Sequence, residues 1–148
     1  MSTLELTETE LESVPVATEN VITMPAGLLG FEDIKRYVLL TNADEEPFSW
    51  FQVLDDPTLA FLVLPPFDTF PDYQPEISDD DTSYLGIKKP ADVLIYNIVT
   101  LRPGHATINL KGPIVINRFT LRGKQVVLQN AAKYSVRHPL PLAKPETF

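Results

Sequence analysis

Val93-Leu94-Ile95-Tyr96-Asn97-Ile98-Val99-Thr100-Leu101 decides the fold class. On an extended chain Val93, Ile95, Val99 and Leu101 line one face, and Leu94, Tyr96 and Ile98 line the other. β-branched and aromatic residues dominate, so the stretch reads as a long strand. An open sheet with one wet side would be polar at alternate positions. Apolar residues on both faces instead require a closed or nearly closed barrel, or a sandwich. The strands that follow support this reading: Ala106–Leu110, Ile114–Thr120 and Gln125–Asn130. Between them lie Arg102-Pro103-Gly104, Lys111-Gly112-Pro113 and Arg122-Gly123-Lys124, which carry turn chemistry.

Upstream, the candidate strands are Val21–Met24, Tyr37–Thr41, Phe48–Leu54 and Leu59–Leu64. They are bounded by Pro25, by Asn42-Ala43-Asp44-Glu45-Glu46-Pro47, by Asp55-Asp56-Pro57 and by Pro65-Pro66. Ala26-Gly27-Leu28-Leu29-Gly30-Phe31 is a glycine-bracketed turn. A short helical turn is expected at Glu32–Arg36, where the acids come first and the bases last, as the helix dipole favours. Residues 65–83 break the strand pattern with four prolines, with Phe67, Phe70 and Tyr73, and with Asp79-Asp80-Asp81. So long a connector reads either as a binding loop or as an Ω-type loop packing its own aromatics. The expected fold is a mainly β, small, closed or nearly closed antiparallel barrel with long loops and at most short helical turns. Its domain spans residues 21–136. Residues 1–20 are expected to form an acidic mobile lead-in in which Leu4, Leu6 and Leu11 could dock weakly, and 137–148 an extended proline-rich tail.

Charge divides the chain. Residues 1–87 hold 18 acids against Lys35 and Arg36, a formal −16, whereas 88–148 hold 10 bases against Asp92 and Glu146, a formal +8. The whole carries −8 over 148 residues. Such a field attracts basic partners and speeds their encounter, although the two halves could also interleave in space. With no cysteine there is no disulfide, thiolate metal site or cysteine nucleophile. No stretch approaches the ~20 apolar residues of a membrane span. The start lacks the basic and apolar regions of a secretory signal, so the expected location is the cytoplasm.

Enzyme chemistry finds little footing. The only histidines are His105 and His138, and a Ser135–His138–aspartate set has no nucleophile elbow behind it. Asp79–Asp81 lacks the spacing of a cation loop, and Gly27–Gly30 fits no phosphate cradle. No metal or cofactor is expected. Nucleic-acid binding is the alternative from another class: a small barrel using Lys88, Lys89, Arg102, Lys111, Arg118, Arg122 and Lys124. It would work against the net charge with few aromatics, namely Tyr96, Phe119, Tyr134 and Phe148.

Several segments, taken in order, resemble the flagellar assembly factor FliW: Met24–Asp33, Phe48–Gln52, Leu59–Phe61, Pro66-Phe67 with Pro71–Tyr73, Asn109–Asn117, Gln125–Leu128 and Tyr134–Arg137. The resemblance covers about residues 21–140, with Gly112 where the family pattern favours Ala, and leaves the acidic N-terminal extension outside it. It implies a small cytoplasmic β-barrel without catalytic activity that binds flagellin and also CsrA, a dimeric RNA-binding repressor of flagellin translation. Export of flagellin would then free the protein to capture CsrA away from its RNA site.

A repressor basic enough to hold RNA phosphates suits an acidic capture surface. The candidates are Asp44, Glu45, Glu46, Asp55, Asp56, Asp79, Asp80 and Asp81, with Phe70 and Tyr73 as desolvated anchors. Each acid also reads as an ordinary solvated turn residue. For flagellin the candidates are Leu28, Leu29 and Phe31, which also read as core packing.

Overall fold

The protein, a computed structural model, is described over residues 21–140. Its strands are β1 (Val21–Thr23), β2 (Arg36–Thr41), β3 (Ser49–Val53), β4 (Ala60–Leu64), β5 (Val93–Arg102), β6 (His105–Ile108), β7 (Ile114–Asn117), β8 (Gly123–Gln125) and β9 (His138–Pro139). One helix, α1 (Asp79–Leu85), lies in the excursion between β4 and β5. All named strand pairs are antiparallel.

β1 to β4 form a meander that pairs with β5 through Val63–Ile98 and Leu64–Asn97. The other edge of β5 is shared. Residues 93–96 pair with β7 and 99–102 with β6, and Asn109–Pro113 leaves the sheet between them. β7 pairs with β8, and the Thr23 N–H then donates to the Leu121 carbonyl at 2.9 Å, a single parallel bridge across the seam to β1. The ring is therefore a nearly closed barrel, as expected.

Two cores explain the two-sided apolar strands. The barrel interior holds Met24, Tyr37, Phe51, Val63, Ile114 and Ile116, with Tyr37 and Phe51 stacked at 4.4 Å. The outer face, with Leu64, Val99 and Val115, packs under Tyr73 and Leu85 of the excursion and Val126, Leu128 and Leu140 of the C-terminal course. Alternate residues of β7 thus serve different cores, Ile114 and Ile116 inside and Val115 outside.

Several local expectations change. Glu32–Arg36 forms no helical turn. The Met24 N–H holds the Lys35 carbonyl at 2.7 Å, the Lys35 ammonium binds the Pro25 and Glu32 carbonyls at 2.9 and 2.6 Å, and Arg36 already belongs to β2. β7 stops at Asn117, whose side-chain oxygen accepts from the Phe119 and Thr120 N–H groups and so folds a turn. β8 stops at Gln125. Beyond it Val126 and Gln129 bond to the Pro113 and Glu76 carbonyls rather than to a strand. His138-Pro139, expected to trail, pairs with β6 as β9, and Leu140 behind it is buried.

Glycine decides the seam. At Gly123 a Cβ would lie 2.8 Å from Met24 Sδ, 3.1 Å from Ile116 Cγ1 and 3.2 Å from the Val115 carbonyl. Gly123→Ala should therefore destabilise by about 1–3 kcal/mol, lowering Tm by roughly 3–10 °C in calorimetry. An unchanged Tm would contradict the close packing there.

Burial also raises the pKa of Tyr37 and of Tyr73 to about 12, the Asn97 hydrogen bond offsetting part of the effect on Tyr73. A group whose folded pKa exceeds its unfolded value near 10 contributes fully below pH 10, and that contribution is lost as pH rises from 10 through 12. The urea midpoint should fall across that window. The Tyr37 hydroxyl has no partner among the described residues. Tyr37→Phe should thus flatten the alkaline fall with little loss at pH 7, and an equally steep fall would contradict this assignment.

Candidate partner-binding surfaces

The expected acids fall into three separate places. Asp44 and Glu45 lie on a single 3-10 turn, Ala43–Glu45, capped by the Asn42 side chain, which accepts the Asp44 N–H at 2.9 Å. Glu46 follows on the same connection; Asp44 and Glu46 are exposed and Glu45 half-buried. Asp55 and Asp56 are exposed in the β3–β4 turn, at the opposite end of β3. Five strand residues separate the two groups by roughly 17 Å along the strand. Asp55 is paired with Arg36 at 2.6 Å, and Asp56 holds the Thr58 hydroxyl and N–H at 2.6 and 3.2 Å.

The third group is not in a loop. Asp79–Asp81 forms the first turn of α1, where the Ser78 hydroxyl accepts the Asp81 N–H at 3.1 Å and Gly86 ends the helix at φ +69°. Three acids at a helix N-terminus are favoured by the unpaired N–H groups there. They do not act alike. Asp79 and Asp80 face solvent, whereas Asp81 is buried and bound by the Lys124 ammonium at 2.5 Å. Asp81 thereby ties α1 to β8 and leaves the candidate acidic surface. Lys124 and Arg122 also stand over the Tyr84 ring, at 5.4 and 4.6 Å.

The two aromatic anchors differ from expectation. Tyr73 is buried, its hydroxyl donating to the Leu110 carbonyl at 2.7 Å, and its ring meets Tyr134 edge-on at 4.9 Å. Phe70 is half-buried and packs edge-on against His138 at 5.1 Å, so it helps seat β9. The excursion does pack its own aromatics, and of Phe67, Phe70 and Tyr73 it is Phe67, 46% exposed, that most reaches solvent.

The Ala26–Phe31 turn separates its three apolar residues. Leu28 points into the barrel and is buried, so core packing accounts for it. Leu29 is 60% exposed and Phe31 39%, with the Phe31 ring edge-on to Phe61 at 5.0 Å. The turn is held firmly. Gly27 sits at φ +68°, where a Cβ would strike the Phe31 carbonyl, and the Leu29 N–H donates to the Gln125 side chain at 2.9 Å. Glu32 accepts the Gly30 N–H at 3.0 Å, the main cause holding its carboxyl below the usual range.

Two further surface features stand out. Phe119 is 72% exposed at the tip of the β7–β8 turn, between Arg118 and Arg122. A groove of about 670 Å³ opens beside β5, lined by Pro65, Phe67, Ile77, Ile87, Lys88 and Lys89 among others. The proline-rich excursion signalled something of the kind, but only the path of the chain brings it against β5. Among the described residues no group of three or more His, Cys, Asp or Glu is placed to hold a metal. Nor is any helix there long and apolar enough to cross a membrane. The Ser135 hydroxyl accepts the Arg137 N–H at 3.0 Å, and His138 lies in a strand.

Comparison with known proteins gives one answer. The model of the family described as FliW protein matches residues 5–140, so the family pattern also takes in most of the acidic N-terminal segment that the resemblance had left outside. The flagellar assembly factor FliW of Syntrophus aciditrophicus is 39% identical over 139 residues, covering 93% of this chain and 87% of its own. That of Natranaerobius thermophilus is 36% identical over 140 residues, covering 93% and 92%. A crystal structure of the flagellar assembly factor FliW superposes with a TM-score of 0.80 at 34% identity, covering 88% of this chain and 92% of that one. With the barrel, the excursion and the glycine turn all in place, the chain belongs to the FliW family of flagellar assembly factors.

Proposed function

We propose that this chain is a non-enzymatic regulator of flagellar assembly in the cytoplasm, binding flagellin and, when flagellin is scarce, CsrA, so that repression of flagellin synthesis is relieved. It needs no cofactor or metal. Family membership carries the reading, and the presence of both exposed acids and exposed apolar residues on the connections supports it. Asp44, Glu46, Asp56, Asp79 and Asp80 offer charge without a buried partner, which suits the encounter with a basic repressor. Leu29 and Phe31 sit on a rigid turn and offer apolar area with little ordering cost, which suits a flagellin segment.

The electrostatic part is tested by salt. Between 0.05 and 0.5 M the Debye length shrinks from about 14 to about 4 Å, so association with CsrA should slow severalfold in stopped flow. A rate flat across that range would contradict it.

The division of surfaces is tested by two double variants. Asp79→Asn with Asp80→Asn should weaken CsrA binding severalfold and leave flagellin binding unchanged, while Leu29→Ser with Phe31→Ser should do the reverse. Titration calorimetry reads both, and equal losses for both partners would refute the division.

A second reading, a nucleic-acid-binding barrel, draws on Phe119 between Arg118 and Arg122. A gel shift of flagellin leader RNA by this chain alone would favour it, whereas relief of a CsrA-induced shift favours the first.

A further inference from the structure

The peptide groups of β5 alternate between its two edges. The Asn109 N–H donates to the Ile98 carbonyl and the Arg118 N–H to the Asp92 carbonyl, each at 2.9 Å. Even-numbered residues therefore face β6 and β7, and odd-numbered residues face β4. The β4 ladder ends at Leu64–Asn97, because Pro65 and Pro66 follow. Pro66 has no N–H to give, and its carbonyl is taken by the Phe70 N–H at 2.8 Å. Opposite it, the N–H and carbonyl of Ile95 have no hydrogen-bond partner among the described residues. The next residue on that edge, Val93, gives its N–H to the Pro90 carbonyl. A single step of the ladder is thus left open, in line with β4.

The opening lies along the 670 Å³ groove, whose apolar lining includes Pro65, Phe67, Ile77 and Ile87. Side chains alternate as well. Val93 and Val99 belong to the outer core with Ile77 and Ile87, so Ile95, and a residue paired with it, present their side chains on that face. Charge along the groove is ordered by α1. Asp79 and Asp80 stand exposed in its first turn, and Lys88 and Lys89 follow its last, roughly 10 Å further on. The backbone of these lysines is fixed, because their N–H groups donate to the buried Asp92 carboxylate at 3.1 and 3.2 Å. Their side chains are exposed and form no ion pair among the described residues.

An unpaired strand edge beside an apolar groove is what an added strand recognises. A strand antiparallel to β5 exchanges both Ile95 bonds with one of its own residues. It runs in the direction of β4, so its C-terminal end comes to the Val93 end of β5, beside Lys88 and Lys89. We propose that the groove takes an extended segment of a partner protein by strand addition, with an apolar residue opposite Ile95 and acidic residues C-terminal to it. The lysine rim fixes the sign of that charge and the end of the segment that carries it. A basic repressor has the wrong charge for this rim, so the groove is a third contact surface, independent of the two proposed above.

The probe is the acetylated peptide Thr-Val-Thr-Val-Thr-Glu-Glu, titrated into the full-length chain and followed by amide NMR. The Ile95, Phe67 and Ile87 signals should shift together. At saturation Ile95 exchange should slow at least about tenfold, while Phe51 in the barrel, which reports global opening, stays unchanged. The same peptide N-methylated at both valines should fail to bind. The reversed order, with the glutamates first, should bind severalfold more weakly at low salt. Lys88→Glu with Lys89→Glu should weaken the acidic peptide severalfold and favour one ending in two lysines. Ile95 signals unmoved at millimolar peptide overturn the proposal, as does equal binding of the N-methylated or reversed peptide. So does an Ile95 amide already slow in the free chain, or one that slows with rising concentration of the chain alone. The edge is then covered by the chain itself or by a second copy.

Discussion

The Asn97 side chain holds the structure together at the point where β5 passes between two cores. β5 pairs with β7 on one half and β6 on the other, so beyond the Asn109 N–H, which still bonds the Ile98 carbonyl, the chain leaves the β5 ladder until Ile114. Backbone groups of the C-terminal course supply part of the replacement, the Leu110 N–H donating to the Ser135 carbonyl at 3.0 Å, and side chains supply the rest. Asn97, fully buried, donates to the Asn109 carbonyl at 2.8 Å and to the Tyr73 hydroxyl at 3.3 Å, and Tyr73 passes the chain on to the Leu110 carbonyl. The Asn109 side chain accepts from Lys111 and Gly112, and the Gln125 amide donates to the Gly112 carbonyl while accepting from Leu29. Those of these bonds that reach the backbone spare a peptide group the roughly 1–3 kcal/mol cost of standing buried and unpaired. Together they link the excursion, the C-terminal course and the exposed Leu29 turn to one strand.

That linkage explains what the sequence discloses and what it hides. The period-2 pattern of Val93–Leu101 identifies β5 and its two-sided burial, because both follow from local side-chain order. It does not say that the second face is covered by residues 65–87 and 126–140, since that depends on contacts far apart in sequence. Pro65-Pro66 and Arg102-Pro103-Gly104 mark where β4 and β5 end, whereas Arg122-Gly123-Lys124, read as a turn, supplies the first two residues of β8. α1 was missed although its signals were present: Ser78 three residues before Asp81, acids in the first turn and Gly86 after the last. The run of aspartates drew the reading toward a solvated loop.

The candidate surfaces show the same division. Which acids are exposed followed from turn chemistry for Asp44, Glu46, Asp55 and Asp56, whereas Asp81 is lost to Lys124, 43 residues away. Tyr73 reads from sequence as an anchor and Leu28 as either a flagellin contact or core packing, and each fastens its turn to a core. The residues left on the outside are acids on the barrel connections and α1, and the apolar Leu29 and Phe31 on the Ala26–Phe31 turn. Under the proposed function, charge would serve the basic repressor and apolar area the flagellin segment.

The most direct test mixes the purified chain with CsrA and then with flagellin of the same organism at micromolar concentration, followed by size exclusion with light scattering. The account predicts a complex with each, and loss of the CsrA complex as flagellin is added. Elution of the free chain beside both proteins would contradict it.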